Sequence, residues 1–91
     1  MKYSIAFSSQ AEKVLKKWKK SNPIALKKFS KLLPELENHP RKGTGHPEPL
    51  RGGQDTLYSR HITKNDRLIY EIYDDMILVL VIDLEGHYND K

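Results

Sequence analysis

The stretch from Leu57 to Leu84 constrains this chain most, because its pattern admits little besides three consecutive β-strands. Polar Thr63-Lys64-Asn65-Asp66 makes one tight connection, and Asp74-Asp75, set between two β-rich runs, makes the other. In the middle strand Leu68, Tyr70 and Ile72 share one face, which reads as core, while Arg67, Ile69, Glu71 and Tyr73 share the other. Met76 to Leu84 is almost wholly apolar, the pattern of a central strand buried on both faces or nearly so. These features predict an antiparallel meander with helices packed on one face and a ligand-holding surface on the other.

Upstream, Lys2 to Phe7 alternates as a short first strand with Tyr3, Ile5 and Phe7 on one face. Ser9-Gln10-Ala11-Glu12 has the spacing of a capping box and predicts a helix to about Lys20, its stripe being Ala11, Val14, Leu15 and Trp18. Trp18 reads as a core anchor. Asn22-Pro23 starts a second helix, with Leu26, Phe29, Leu33 and Leu36 on one face. Pro34 has no N–H for the Ser30 carbonyl and predicts a kink or interruption, and Asn38-His39-Pro40 ends the helix. So short a turn between the helices implies an antiparallel hairpin across one sheet face. Residues 1–91 therefore read as one α+β domain, a twisted antiparallel sheet with an N-terminal strand and a two-helix hairpin on one face.

The absence of cysteine excludes disulfides and thiolate metal sites. No apolar run reaches membrane-spanning length, and Met1-Lys2-Tyr3-Ser4 lacks a signal-peptide apolar region, so a cytoplasmic location without membrane contact is expected. The net charge of +4 hides an asymmetry: Met1 to Arg51 holds twelve Lys/Arg against four Asp/Glu, and Gly52 to Lys91 holds four against eight. The basic half is the helical half. Its lysines fit either a solvated helix face or docking on a polyanion. The histidines show no ligand spacing with carboxylates, so neither a metal nor another cofactor is expected.

Arg41 to Gln54 is a long connection, and loops of this length in compact domains tend to be functional or disordered. Its centre, His46-Pro47-Glu48-Pro49-Leu50-Arg51, argues for order, since two prolines hold Glu48 on a stiff, extended backbone. Together with Arg67 opening the strand Asp66-Arg67-Leu68-Ile69-Tyr70 and with Gly86-His87-Tyr88 near the end, this segment resembles the Txe/YoeB family of toxins. That family belongs to the RelE-like type II toxin–antitoxin superfamily. The resemblance extends over nearly the whole chain, through Trp18, Lys42-Gly43-Thr44-Gly45-His46-Pro47-Glu48-Pro49-Leu50, Tyr58-Ser59-Arg60-His61-Ile62 and the Asp74-Asp75 turn.

The resemblance implies a microbial-ribonuclease-like (RelE-like) fold and a ribosome-dependent endoribonuclease that cuts mRNA in the A site. It assigns Glu48 as general base, Arg67 as phosphate-stabilising cation, His87 as general acid and Tyr88 as a residue shaping the site. Arg51, Arg60 and His61 become substrate-binding candidates, His61 standing where many relatives have a second arginine. The residue types suit the chemistry: attack by the RNA's own 2′-OH needs a base, an acid for the leaving 5′-oxygen, and positive charge on the phosphorane. Histidine titrates near neutrality, and arginine keeps its charge and its donor fork throughout. The implied partners are the ribosome with its mRNA and a cognate antitoxin with an acidic, partly disordered segment; homodimerisation stays open. So do blander roles: Glu48 pairing Arg51, Arg67 bridging Glu71, and Tyr88 packing or stacking on a base. A non-catalytic RNA-binding module, or a toxin of this fold aimed at gyrase, are the rival functions.

Overall fold

In the computed structural model, residues 2–50 and 55–86 are described. Strand β1 (Ser4–Phe7) leads into helices α1 (Ser9–Ser21) and α2 (Pro23–Asn38). Four strands follow: β2 (Glu48–Pro49), β3 (Leu57–His61), β4 (Arg67–Tyr73) and β5 (Leu78–Asp83). A short 3₁₀ turn at Asp74–Met76 joins the last two, as the acidic pair predicts.

The cap of α1 is Ser8 rather than the predicted Ser9–Glu12 box. The Ser8 hydroxyl accepts from the Ala11 N–H at 3.0 Å and donates to the Ile82 carbonyl at 2.6 Å. Ser8 thus closes the helix end and ties it to β5, a tertiary bond that local spacing does not reveal. Asn22 caps α2 with Pro23 in its first turn, as expected. Helix α2 runs unbroken through Pro34, contrary to the predicted interruption. Leu32 and Leu36, on either side of the proline, are 4% and 0% exposed, and their burial offsets a proline cost of about 3 kcal/mol.

The five strands form one sheet in the order β1-β5-β4-β3-β2. The Leu57–Leu84 meander is antiparallel throughout, but β1 pairs parallel with β5, from Ser4 opposite Leu78 to Phe7 opposite Val81. The sheet is therefore mixed rather than purely antiparallel, because β1 docks beside the last strand instead of its neighbours in sequence. Trp18, Phe29 and Leu36 from the helices meet Tyr58, Leu68, Tyr70, Ile72, Val79 and Val81 from the sheet in one core. The predicted core face of β4 is correct. In β5, Val79 and Val81 are buried whereas Leu78, Leu80 and Ile82 stay partly exposed, so that strand is shielded fully on the helical side only.

Arg41 anchors the end of the sheet where β4 turns into β5. Its guanidinium donates to both Asp74 carboxylate oxygens, at 3.1 and 2.9 Å, and to the Asp55 carbonyl. The Tyr3 hydroxyl donates to the same Asp74. Hydrogen bonds from Arg41 and Tyr3 hold the Asp74 carboxyl at about 2, well below its ordinary value.

Candidate active site on the open sheet face

Glu48 lies on β2, the two-residue edge strand, where its flanking prolines need no ladder partner on the outer side. It pairs with Ser59 of β3, and Pro49 pairs with Tyr58. In β3, Tyr58 and Arg60 face the helices, which puts Leu57, Ser59 and His61 on the opposite face. Arg67 opens β4 directly across from His61. The ladder thus brings Glu48, Ser59, His61 and Arg67 onto one face, remote from the helices. Strand spacing puts the Glu48 and Arg67 backbones about 12 Å apart, with both side chains able to lean towards a group between them.

Arg67 is partly engaged. Its Nη2 donates to the Ser59 hydroxyl at 2.6 Å, while its Nε is buried and has no hydrogen-bond partner among the described residues. A buried guanidinium N–H without an acceptor is costly, and an oxyanion is the ligand that satisfies it best. The alternative of Arg67 bridging Glu71 is not seen among the described residues; the Glu71 carboxylate instead accepts from Tyr73 and Thr56. Glu48 is exposed. Gly86 closes against Arg67: a Cβ there would stand 3.2 Å from the arginine's Cβ, and its φ of +72° favours glycine as well. Just before it, Glu85 pairs with Lys17 of α1 at 2.5 Å, tying this segment to the helical layer. The candidates Arg51, His87 and Tyr88, and the tail 89–91, lie outside the described residues.

Arg60 requires a correction. It is 0% exposed and offers nothing to a substrate. Its guanidinium donates to the carbonyls of His39, Pro40, Lys42 and Thr44, to the Glu35 carboxylate at 3.1 Å and to the Tyr70 hydroxyl. Tyr70 in turn donates to the Pro40 carbonyl at 2.6 Å. Burial pushes the Glu35 carboxyl up, but bonds from the Thr44 N–H and Arg60 outweigh it and leave the group below its usual value. Arg60 is the pin of the 39–45 loop, which delivers the chain to Glu48.

His61 is exposed and marks the border between the open face and a second feature. An open cleft of about 490 Å³ lies between α2 and the loop, lined by Lys28, Lys31, Leu32, Glu35, Thr44, His61 and Ile62. Two lysines and a histidine there make a surface suited to anions. Among the described residues no cluster of histidines and acids could hold a metal.

Sequence reasoning missed Ser59 as a site residue, although alternation in Leu57–His61 is the signal that turns it to the face of Arg67. It also missed β2, because a two-residue strand between prolines has no periodicity to detect.

The chain matches, over residues 7–88, the family described as the YoeB-like toxin of bacterial type II toxin–antitoxin systems. It is 32% identical over 84 residues to the toxin YoeB of Streptomyces coelicolor, covering 92% of this chain and 98% of that one. The YoeB dimer structure from Staphylococcus aureus superposes with a TM-score of 0.82 at 29% identity, covering 97% of this chain and all of that one. A YoeB–YefM complex from the same organism superposes with a TM-score of 0.79 over the same shares, again at 29% identity.

Proposed function

This chain belongs to the YoeB-like toxins of bacterial type II toxin–antitoxin systems, and from that membership we propose that it is an endoribonuclease that cuts ribosome-bound mRNA in the A site. The observation carrying this reading is Arg67: a half-held guanidinium whose buried Nε has no partner among the described residues, on the same sheet face as an exposed glutamate.

In the reaction, Glu48 takes the proton of the 2′-OH, whose oxygen attacks the adjacent phosphorus. Arg67 donates to the phosphoryl oxygens as charge accumulates on them. The P–O5′ bond breaks, His87 gives the 5′-oxygen its proton, and the products are a 2′,3′-cyclic phosphate and a free 5′-hydroxyl. Gly86 lies against Arg67 and His87 follows it in the chain, which supports this division of labour. By the family match, Tyr88 is assigned a part in shaping the site. No step needs a metal. The ribosome contributes most of the positioning, so free RNA is a poor substrate. Because relatives include a YoeB–YefM complex and a YoeB dimer, this chain's partners are read as a cognate antitoxin with an acidic segment and, in its absence, a second copy. The site of action is the cytoplasm.

The test is cleavage mapping on a defined mRNA, with and without ribosomes paused at a known A-site codon. A cut confined to that codon, absent without ribosomes and lost in Glu48→Ala, Arg67→Ala and His87→Ala, is expected. An uncut message under both conditions overturns the reading in favour of a non-catalytic RNA binder or a gyrase poison.

A further inference from the structure

We infer that Ser59 is a positioning residue that holds Arg67 beside Glu48; the inference rests on the ribonuclease reading for its kinetic consequence but not for its geometry. Ser59 is 1% exposed, on the sheet face away from the main core. A serine hydroxyl has two acceptor sites and one donor. One acceptor site is taken by Arg67 Nη2 at 2.6 Å, a short, charge-assisted bond. The O–H is left to donate.

The residue directly opposite Ser59 in the ladder is Glu48. Facing residues of an antiparallel pair have their Cβ atoms about 5 Å apart, so Glu48 and Ser59 project side by side from the same face. Ser59 thereby accepts from the phosphate-binding cation on the same face as the base. A long arginine at the start of a strand has several rotamers. The serine restricts it to one in which Nη2 is occupied, Nε has no partner among the described residues, and the side chain stays partly exposed on the open face. Gly86 lies against the same residue, and its missing Cβ leaves room for the arginine's own Cβ. Alanine at 59 keeps the fold but releases Arg67. Threonine keeps the hydroxyl.

Two measurements separate this inference from the functional reading. The first is NMR of the Arg67 side-chain Nε–H group in the free protein. A single sharp signal with slow guanidinium rotation is expected in wild type and in Ser59→Thr, and rapid rotation in Ser59→Ala, with backbone spectra otherwise superimposable. Equal rotation in wild type and Ser59→Ala overturns the inference whatever the protein cleaves. The second is cleavage of ribosome-bound mRNA. Ser59→Ala is expected to lower kcat roughly tenfold to a hundredfold with KM within about threefold, Ser59→Thr to recover most of the rate, and Ser59→Ala to cost less than about threefold in an Arg67→Lys background. A full multiplicative loss in that background, or a wild-type rate for Ser59→Ala, overturns it. Absence of cleavage by the wild-type protein removes the ribonuclease reading alone, and the NMR result then decides Ser59 by itself.

Discussion

Replacing Arg60 by methionine tests whether a buried cation holds the loop that leads to Glu48. Burying a charge is expensive, and an apolar side chain of similar volume is often neutral in its place. Here the acceptors decide. Of the groups bonded by Arg60, the Pro40 carbonyl keeps the Tyr70 hydroxyl, and the Glu35 carboxylate keeps the Thr44 N–H. The His39 carbonyl keeps the Lys42 N–H at 3.2 Å, so the carbonyls of Lys42 and Thr44 are the acceptors that lose their partner. At roughly 1–3 kcal/mol for each of these two part-buried acceptors left unpaired, less the relief of no longer desolvating a guanidinium, the net cost is about 2–4 kcal/mol. That is a large share of the roughly 5–14 kcal/mol expected for a domain this size. Trp18, the chain's single tryptophan and 1% exposed, reports unfolding by its fluorescence. With a urea slope of about 1–1.5 kcal/mol/M, the midpoint should fall by roughly 1–4 M. Arg60→Lys should recover less than half of this, because three donors on a flexible stem cannot match a planar fork reaching four carbonyls, a carboxylate and a hydroxyl. A midpoint shift below about 0.5 M for Arg60→Met would refute the reasoning: water would then be serving those carbonyls as well as the guanidinium does.

Two further outcomes follow from the same scaffold. Asp74, held at about 2 by Arg41 and Tyr3, binds its proton less readily folded than unfolded, so its contribution to stability is present above about pH 4 and is lost as pH falls towards 2. Asp74→Asn should flatten the urea midpoint over that window while costing under about 1 kcal/mol at neutral pH, since the carboxylate is half exposed; an unchanged acid profile contradicts the assignment. Gly45 sits at φ +88°, and a Cβ there would lie 2.4 Å from the His61 carbonyl oxygen. Gly45→Ala should therefore destabilise by more than about 1 kcal/mol and lower the melting temperature by at least about 4 °C, read by circular dichroism.

Periodicity and end signals are local properties, and they were enough for much of this protein. The 2-residue alternation of Leu68, Tyr70 and Ile72, the helical stripe through Val14 and Trp18, and Asn22-Pro23 each express backbone geometry within a few residues. The α+β class, the helical hairpin and the meander follow from them, and the ordered motifs around Glu48, Arg67 and His87 are enough to identify the toxin family. Tertiary structure decided the rest. Parallel pairing of β1 with β5 depends on where the first strand docks after the helices turn back, and no residue of Ser4–Phe7 encodes it. Ser8 rather than Ser9 caps α1 because Ile82, seventy-four residues away, accepts its hydroxyl. Arg60 and Arg67 are both strand arginines in family motifs, and composition cannot tell them apart. One faces the helices, where loop carbonyls consume its donors; the other faces the open side, where a serine holds it and leaves a donor unspent. Which face a strand residue occupies is set by register across the sheet, and register is a property of the assembled molecule.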